Sequence, residues 1–158
     1  MPDPELMREA IRLAHDHMQA GHGGPFGALI VDAQGEVIAR GWNQVTTQGD
    51  PTAHAEVVAI REACQKVGHF ELRGCTLYTS CEPCPMCLGA TYWARIERVY
   101  FAADRHQAAA AGFSDAVIYE ELELPAEGRT RLPMERLLAD ESQAPFDAWT
   151  KKSDKIEY

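Results

Sequence analysis

Apolar positions recur at helical spacing near the start of the chain, where Met7, Ala10, Ile11, Ala14 and Met18 share one face. Asp3-Pro4-Glu5 precedes them with the chemistry of a helix start: a capping carboxylate, a proline at the first helical position, then an acid near the positive end of the dipole. Gly21 ends the run, and Gly21-His22-Gly23-Gly24-Pro25-Phe26-Gly27 is too rich in glycine for regular structure. The apolar stretches then shorten. Residues 28–31 and 37–41, joined around Ala33-Gln34-Gly35, predict a β-hairpin. The polar stretch 44–52 leads into a helix over about 53–67, with Val57, Ile60, Cys64 and Val67 as its buried stripe. A strand over 76–79, a helix from Pro83 or Cys84 to about Ala94, and a strand over 98–102 follow. Weaker patterns predict a short helix near 115–122, a strand around 131–138 demoted by Pro133, and a short aromatic helix near 146–150. No repeat, low-complexity tract or linker stands out. The expectation is one α/β domain over residues 1–158, with helices flanking a sheet.

Charge narrows the partners. The 158 residues carry 15 Lys plus Arg against 24 Asp plus Glu, a formal net charge of −9. Both parts are acidic: residues 1–100 hold 8 basic and 12 acidic side chains, residues 101–158 hold 7 and 12. Gripping a phosphate backbone needs one cation per neutralised phosphate, so a small neutral substrate suits this chain better than nucleic acid. Met1-Pro2-Asp3-Pro4-Glu5 has no signal-peptide character, and no apolar run is long enough to span a bilayer. A cytoplasmic location without a membrane partner is expected. Cys64, Cys75, Cys81, Cys84 and Cys87 sharpen that expectation: an odd number, with three inside seven positions, reads as metal binding in a reducing compartment rather than as a disulfide framework.

The metal chemistry lies in two helix starts. His54-Ala55-Glu56 opens one, and Pro83-Cys84-Pro85-Met86-Cys87 opens the other. Zinc accepts imidazole nitrogen and thiolate sulfur, and a catalytic site uses three protein ligands so that water holds the fourth position. His54, Cys84 and Cys87 supply that set, one zinc per chain. Mid-helix, His54 and Glu56 would diverge by about 200°. In a first turn both lean past the helix end toward one metal. Glu56 is then free to move protons, as the non-ligand glutamate of zinc deaminases does.

With these residues in view, the chain resembles the cytidine deaminase superfamily, and within it the bacterial guanine deaminases. The resemblance is carried by Gly23-Gly24-Pro25-Phe26-Gly27-Ala28, Asn43, Asp50-Pro51-Thr52-Ala53-His54-Ala55-Glu56 and Tyr78-Thr79-Ser80-Cys81-Glu82-Pro83-Cys84-Pro85-Met86-Cys87-Leu88-Gly89-Ala90. Tyr92-Trp93-Ala94-Arg95, Ala111-Gly112-Phe113, Asp115, Pro145-Phe146 and Tyr158 extend it to the last residue. It implies a three-layer α/β/α fold with a central mixed sheet of five strands, the fifth loosened over 130–138 by Pro133. It implies a homodimer whose C-terminal segment, about 140–158, closes an active site, either its own or the partner's. It implies hydrolysis of guanine to xanthine and ammonia, with a zinc-activated water as nucleophile and Glu56 as proton shuttle. Carried over residue by residue, Asn43 hydrogen-bonds the purine base, Phe26 packs on its face, and the Ala55 backbone holds its edge. Asp115 accepts from the N–H groups that distinguish guanine from adenine, and Tyr158 caps the pocket.

Blander readings stand beside these. Cys64 and Cys75 fit small buried side chains. Cys81 has the same spacing to Cys84 as Cys84 has to Cys87, and as a fourth ligand it would close the site into a structural zinc module. Phe26 also suits core packing, Asp115 a helix cap, and Tyr158 a frayed terminus. Trp93 is expected to pack its helix on the sheet. His15, His17, His22, His69 and His106 read as surface or loop residues, and Lys151, Lys152 and Lys155 as a solvated cluster. Among enzymes the alternative is an adenosine deaminase acting on transfer RNA, which shares the zinc motif.

Overall fold

Alternation along the central strands sets the layers. The computed structural model describes residues 2–158. Strand β1 (Gly27–Val31) is buried along its whole length, and its side chains divide between two cores. Ala28 and Ile30 face a cluster built with Ala55, Ala59 and Ile60, while Leu29 and Val31 face one built with Ala10 and Tyr78. Helix α1 (Pro4–Gln19) supplies the second cluster, and α3 (Ala55–Val67) the first. A sheet buried on both faces requires such cover. The result is helix, sheet, helix.

The sheet has the order β2-β1-β3-β4, with β2 (Val37–Trp42), β3 (Thr76–Cys81) and β4 (Arg98–Ala103). β1 pairs antiparallel with both β2 and β3, whereas β3 and β4 are parallel and joined through α4 (Pro85–Trp93), so the sheet is mixed. The hairpin between β1 and β2 turns on Asp32, whose carboxylate accepts from the Gln34 and Glu36 amides at 2.9 Å each, and on Gly35 at φ 88°. The start of α1 forms as its sequence predicts, with the Asp3 carboxylate accepting from the Glu5 amide at 2.8 Å.

The first of two compact units ends at Asp115 and contains these layers. It also contains two short helices absent from the sequence-based expectation, α2 (Val45–Gln48) and α5 (Arg105–Ala110). The second unit, Ala116–Tyr158, holds α6 (Ala116–Leu122), a single 3-10 turn at Ala126–Gly128 and α7 (Ala144–Lys151).

Several expectations are corrected. The sheet has four strands among the described residues, not five, because residues 131–138 form no strand. The Glu121 carboxylate takes the amides of Thr130 and Arg131, Pro133 has no amide to offer, and Leu138 sits at φ 53°. On α3 Val57 and Ile60 are buried as expected, but the buried face continues through Ala55, Ala59 and Ala63, so Cys64 is half-buried and Val67 exposed. On α4, Cys87, Thr91 and Ala94 turn inward at helical spacing, which leaves Trp93 64% exposed instead of packed on the sheet.

Candidate active site

Helix α3 begins one residue after His54, and α4 one residue after Cys84, so both residues are N-caps with extended backbones. An N-cap side chain ordinarily accepts from the first turn's amides. Neither does so here, and both side chains are turned to a common point instead. The His54 imidazole Nδ1 lies 3.6 Å from the Cys84 sulfur and 3.5 Å from the Cys87 sulfur. Cys87, in the first turn of α4, is fully buried. The three donor atoms lie within 4.8 Å of one another.

These separations fit zinc. Bonds of about 2.3 Å to sulfur and 2.0–2.1 Å to nitrogen, opened to the tetrahedral angle, give a sulfur-to-nitrogen edge of about 3.5–3.6 Å. Three donors leave one tetrahedral position for water or substrate. The electrostatics suit a thiolate at Cys84. A hydrogen bond from Cys87, then one from His54, holds the Cys84 thiol down to about 4, while the same shared proton and burial push Cys87 up. The dipoles of two helix N-termini add to that preference for negative charge.

Glu56, in the first turn of α3, is only 6% exposed, and its Oε2 accepts from the Cys87 thiol at 3.5 Å. Burial first, and then the Cys84 charge, raise its carboxyl above the usual carboxylate range. A carboxyl raised in this way, beside a site for bound water, can both take and return a proton.

Cys81 is separate from the donor group. Its sulfur lies 3.9 Å from the Asp104 carbonyl, and burial, with the Glu56 charge next, pushes its thiol up to about 11. The Asp115 charge adds a small contribution to that shift. Asn43 is buried, and its Oδ1 accepts from the Gly24 amide at 3.1 Å and the Val45 amide at 3.3 Å. The Asn43 amide in turn donates to the Phe26 carbonyl, joining Asn43 to the glycine-rich loop. Ala55 is fully buried at the start of α3. Tyr158 lies exposed in the second unit.

Phe113 has a place that motif reading left unassigned. Its ring meets Phe26 edge-on, centroids 5.0 Å apart at 90°. The aromatic in Ala111-Gly112-Phe113, just before Asp115, was the available signal. A groove of about 530 Å³ opens beside Phe26, Cys81 and Phe113. None of His54, Glu56, Cys84 or Cys87 lines it.

A mixed α/β sheet that presents a His-Cys-Cys donor set beside a buried carboxylate defines a zinc-dependent hydrolase. Residues 1–103 match the family model of the cytidine and deoxycytidylate deaminase zinc-binding region, and the chain belongs to that family. It is 53% identical over 153 residues to the guanine deaminase of Bacillus subtilis (strain 168), covering 97% of each chain. The X-ray structure of guanine deaminase from Bacillus subtilis superposes with a TM-score of 0.95 at 52% identity, covering 100% of this chain and 99% of that one. The tRNA-specific adenosine deaminase of Haemophilus influenzae is 41% identical over 110 residues, 70% of this chain and 63% of its own length.

Proposed function

We propose that this chain hydrolyses guanine to xanthine and ammonia. The observation that carries the reading is the convergence of His54, Cys84 and Cys87 beside the buried Glu56, in a chain similar over nearly its full length to a guanine deaminase. Similarity to the transfer-RNA enzyme stops at 110 residues, and the −9 charge offers a phosphate backbone little attraction.

His54, Cys84 and Cys87 would hold a zinc ion, which would lower the pKa of a water at its fourth position to about 7. Glu56 accepts the proton released as water adds to the carbon bearing the exocyclic amine and passes it to the adjacent ring nitrogen; it then takes the remaining proton of the added hydroxyl and delivers it to the amine, which leaves as ammonia while the carbonyl forms. Asn43, its carbonyl end occupied by backbone amides, offers its NH₂ group to an acceptor on the purine. Phe26, backed by Phe113, packs on the base, and the Ala55 backbone holds its edge. Asp115 accepts from the ring and amine N–H groups of guanine. Tyr158 and the segment 140–158 close an active site.

We also read the protein as a cytoplasmic homodimer. All five cysteines are free thiols, which suits a reducing compartment, and no described helix is long and apolar enough to cross a membrane. Tyr92, Trp93 and Phe101 leave α4 and β4 with exposed aromatic surface of the kind a second copy covers.

The test is ammonia release from purified zinc-loaded protein given guanine, adenine, cytosine, cytidine and an adenosine-containing RNA hairpin in parallel. Turnover of guanine with no release from the hairpin is expected. Release from the hairpin and none from guanine would overturn the assignment.

A further inference from the structure

Two imidazoles meet where α1 ends. His17, in the last turn of α1, and His22, in the following glycine-rich loop, place their Nδ1 atoms 2.8 Å apart. Each residue is pinned by contacts of its own. The His17 ring lies flat on the Trp42 indole, centroids 3.7 Å apart and planes within 3°. The His22 amide donates to the His17 carbonyl at 2.9 Å, and the His22 carbonyl accepts from the Thr47 hydroxyl at 3.1 Å.

Two ring nitrogens at this distance need something between their lone pairs, either one shared proton or a cation. Two neighbouring features attract a cation. The pair sits at the negative end of α1's dipole, with the Asp16 carboxylate near enough to act on His17. Burial, and after it the neighbouring His22, hold His17 below the usual histidine range, which favours the neutral imidazole that a metal binds. The spacing also discriminates between geometries. Bonds of about 2.0–2.1 Å at a right angle put two nitrogens about 2.8–3.0 Å apart, whereas a tetrahedral angle puts them about 3.3–3.4 Å apart. The hydrogen bond at 2.8 Å already holds the two nitrogens at the separation the right angle needs, the arrangement of cis imidazoles in tetragonal copper(II) and nickel(II) sites.

We propose that His17 and His22 form a second metal site, distinct from the His54-Cys84-Cys87 group, that takes a divalent copper- or nickel-type ion through a cis pair of imidazole nitrogens. Water completes the coordination sphere. An ion there joins the end of α1 to the loop that runs on to Phe26.

The test adds one equivalent of copper(II) to zinc-loaded protein and follows the metal by dialysis with elemental analysis, by electron paramagnetic resonance and by tryptophan emission. Copper is expected to bind in addition to zinc, to show superhyperfine coupling from two imidazole nitrogens, and to quench the emission of Trp42 stacked on His17. His22→Ala, an exposed loop change, should keep its zinc and weaken copper binding beyond the roughly 10–100-fold that loss of an outer-shell partner costs a metal site. Trp42→Phe should keep the two-nitrogen signal and lose the quenching. Copper that displaces zinc one for one, or that binds His22→Ala as tightly as the parent, would overturn the proposal. So would a protein that takes up no copper, since the pair would then hold only a proton.

Discussion

Gly41→Ala tests how the sheet positions the proposed proton shuttle. Gly41 lies on β2 where α3 comes nearest to the sheet, a close approach permitted by the small side chains Ala55, Ala59 and Ala63 along the helix. A Cβ built on Gly41 would lie 2.1 Å from the Ala55 carbonyl oxygen, 2.7 Å from the Ala59 nitrogen and 3.0 Å from the Ala59 Cβ. Two of these neighbours are backbone atoms, so no rotamer change relieves the overlap. The first turn of α3 must move away from β2 by about 1 Å to restore ordinary contact, and that turn carries Glu56, two positions after the His54 cap. Overpacking of this kind costs about 1–3 kcal/mol, occasionally more. For a chain of this length that corresponds to a fall in Tm of roughly 2–12 °C. The assay is a thermal melt of zinc-loaded protein, paired with deaminase turnover at a temperature where the variant remains folded. A lower Tm together with reduced turnover is expected, because the same displacement strains the packing and moves Glu56 against its sulfur neighbours. An unchanged Tm would refute the close approach. A lower Tm with parental turnover would show that α3 yields elsewhere than at its first turn.

The remaining predictions are shorter. Gly89→Ala, in mid-α4 with nothing within 4 Å of the added Cβ, should stabilise the protein by about 0.5–1 kcal/mol, and a lower Tm would argue against that open space. Cys81→Ser should still bind one zinc per chain by elemental analysis; an apo protein would make Cys81 a ligand. Glu56→Gln should retain zinc while turnover falls by roughly 10²–10⁴-fold, and parental activity would remove Glu56 from proton transfer. Asp115→Asn should impair guanine more than analogues lacking its N–H donors, measured as kcat/KM; equal losses across the series would take Asp115 out of recognition.

What could be read from the chain follows from how local each feature is. The His54, Cys84 and Cys87 group was legible because zinc restricts residue types, and both helix starts are marked by short, local signals. Helix α5 was equally local and was missed. Its Asp104 side chain caps the helix and Gln107 reaches back to the Asp104 amide, a capping box written in four consecutive residues. Other features depend on partners distant in sequence. Nothing in the spacing of Val57, Ile60, Cys64 and Val67 says that alanines will face β2, because that choice rests on Gly41 admitting a close helix. The strand expected around 131–138 is already demoted by Pro133, and Glu121 claims the amides of Thr130 and Arg131. The meeting of His17 and His22 likewise depends on the chain turning back after α1, which separation along the sequence alone does not reveal.

The placement of the donor set exchanges helix stability for chemistry in a specific way. A Ser, Thr, Asp or Asn at an N-cap contributes about 1 kcal/mol by accepting from the first-turn amides, and α3 and α4 forgo it at both His54 and Cys84. The amides left without a capping side chain are also what give a helix start its positive potential. Pointing two such starts at one site supplies positive potential without adding a cationic side chain that would compete for a proton. It adds to the hydrogen bonds from Cys87 and then His54 that lower the cost of a thiolate at Cys84, whereas the buried carboxyl of Glu56 stays above its usual range because burial outweighs the hydrogen bonds it accepts. The metal can therefore be held by negative sulfur while the acid beside it keeps the ability to carry a proton, two demands that a single electrostatic environment acting alone would set against each other.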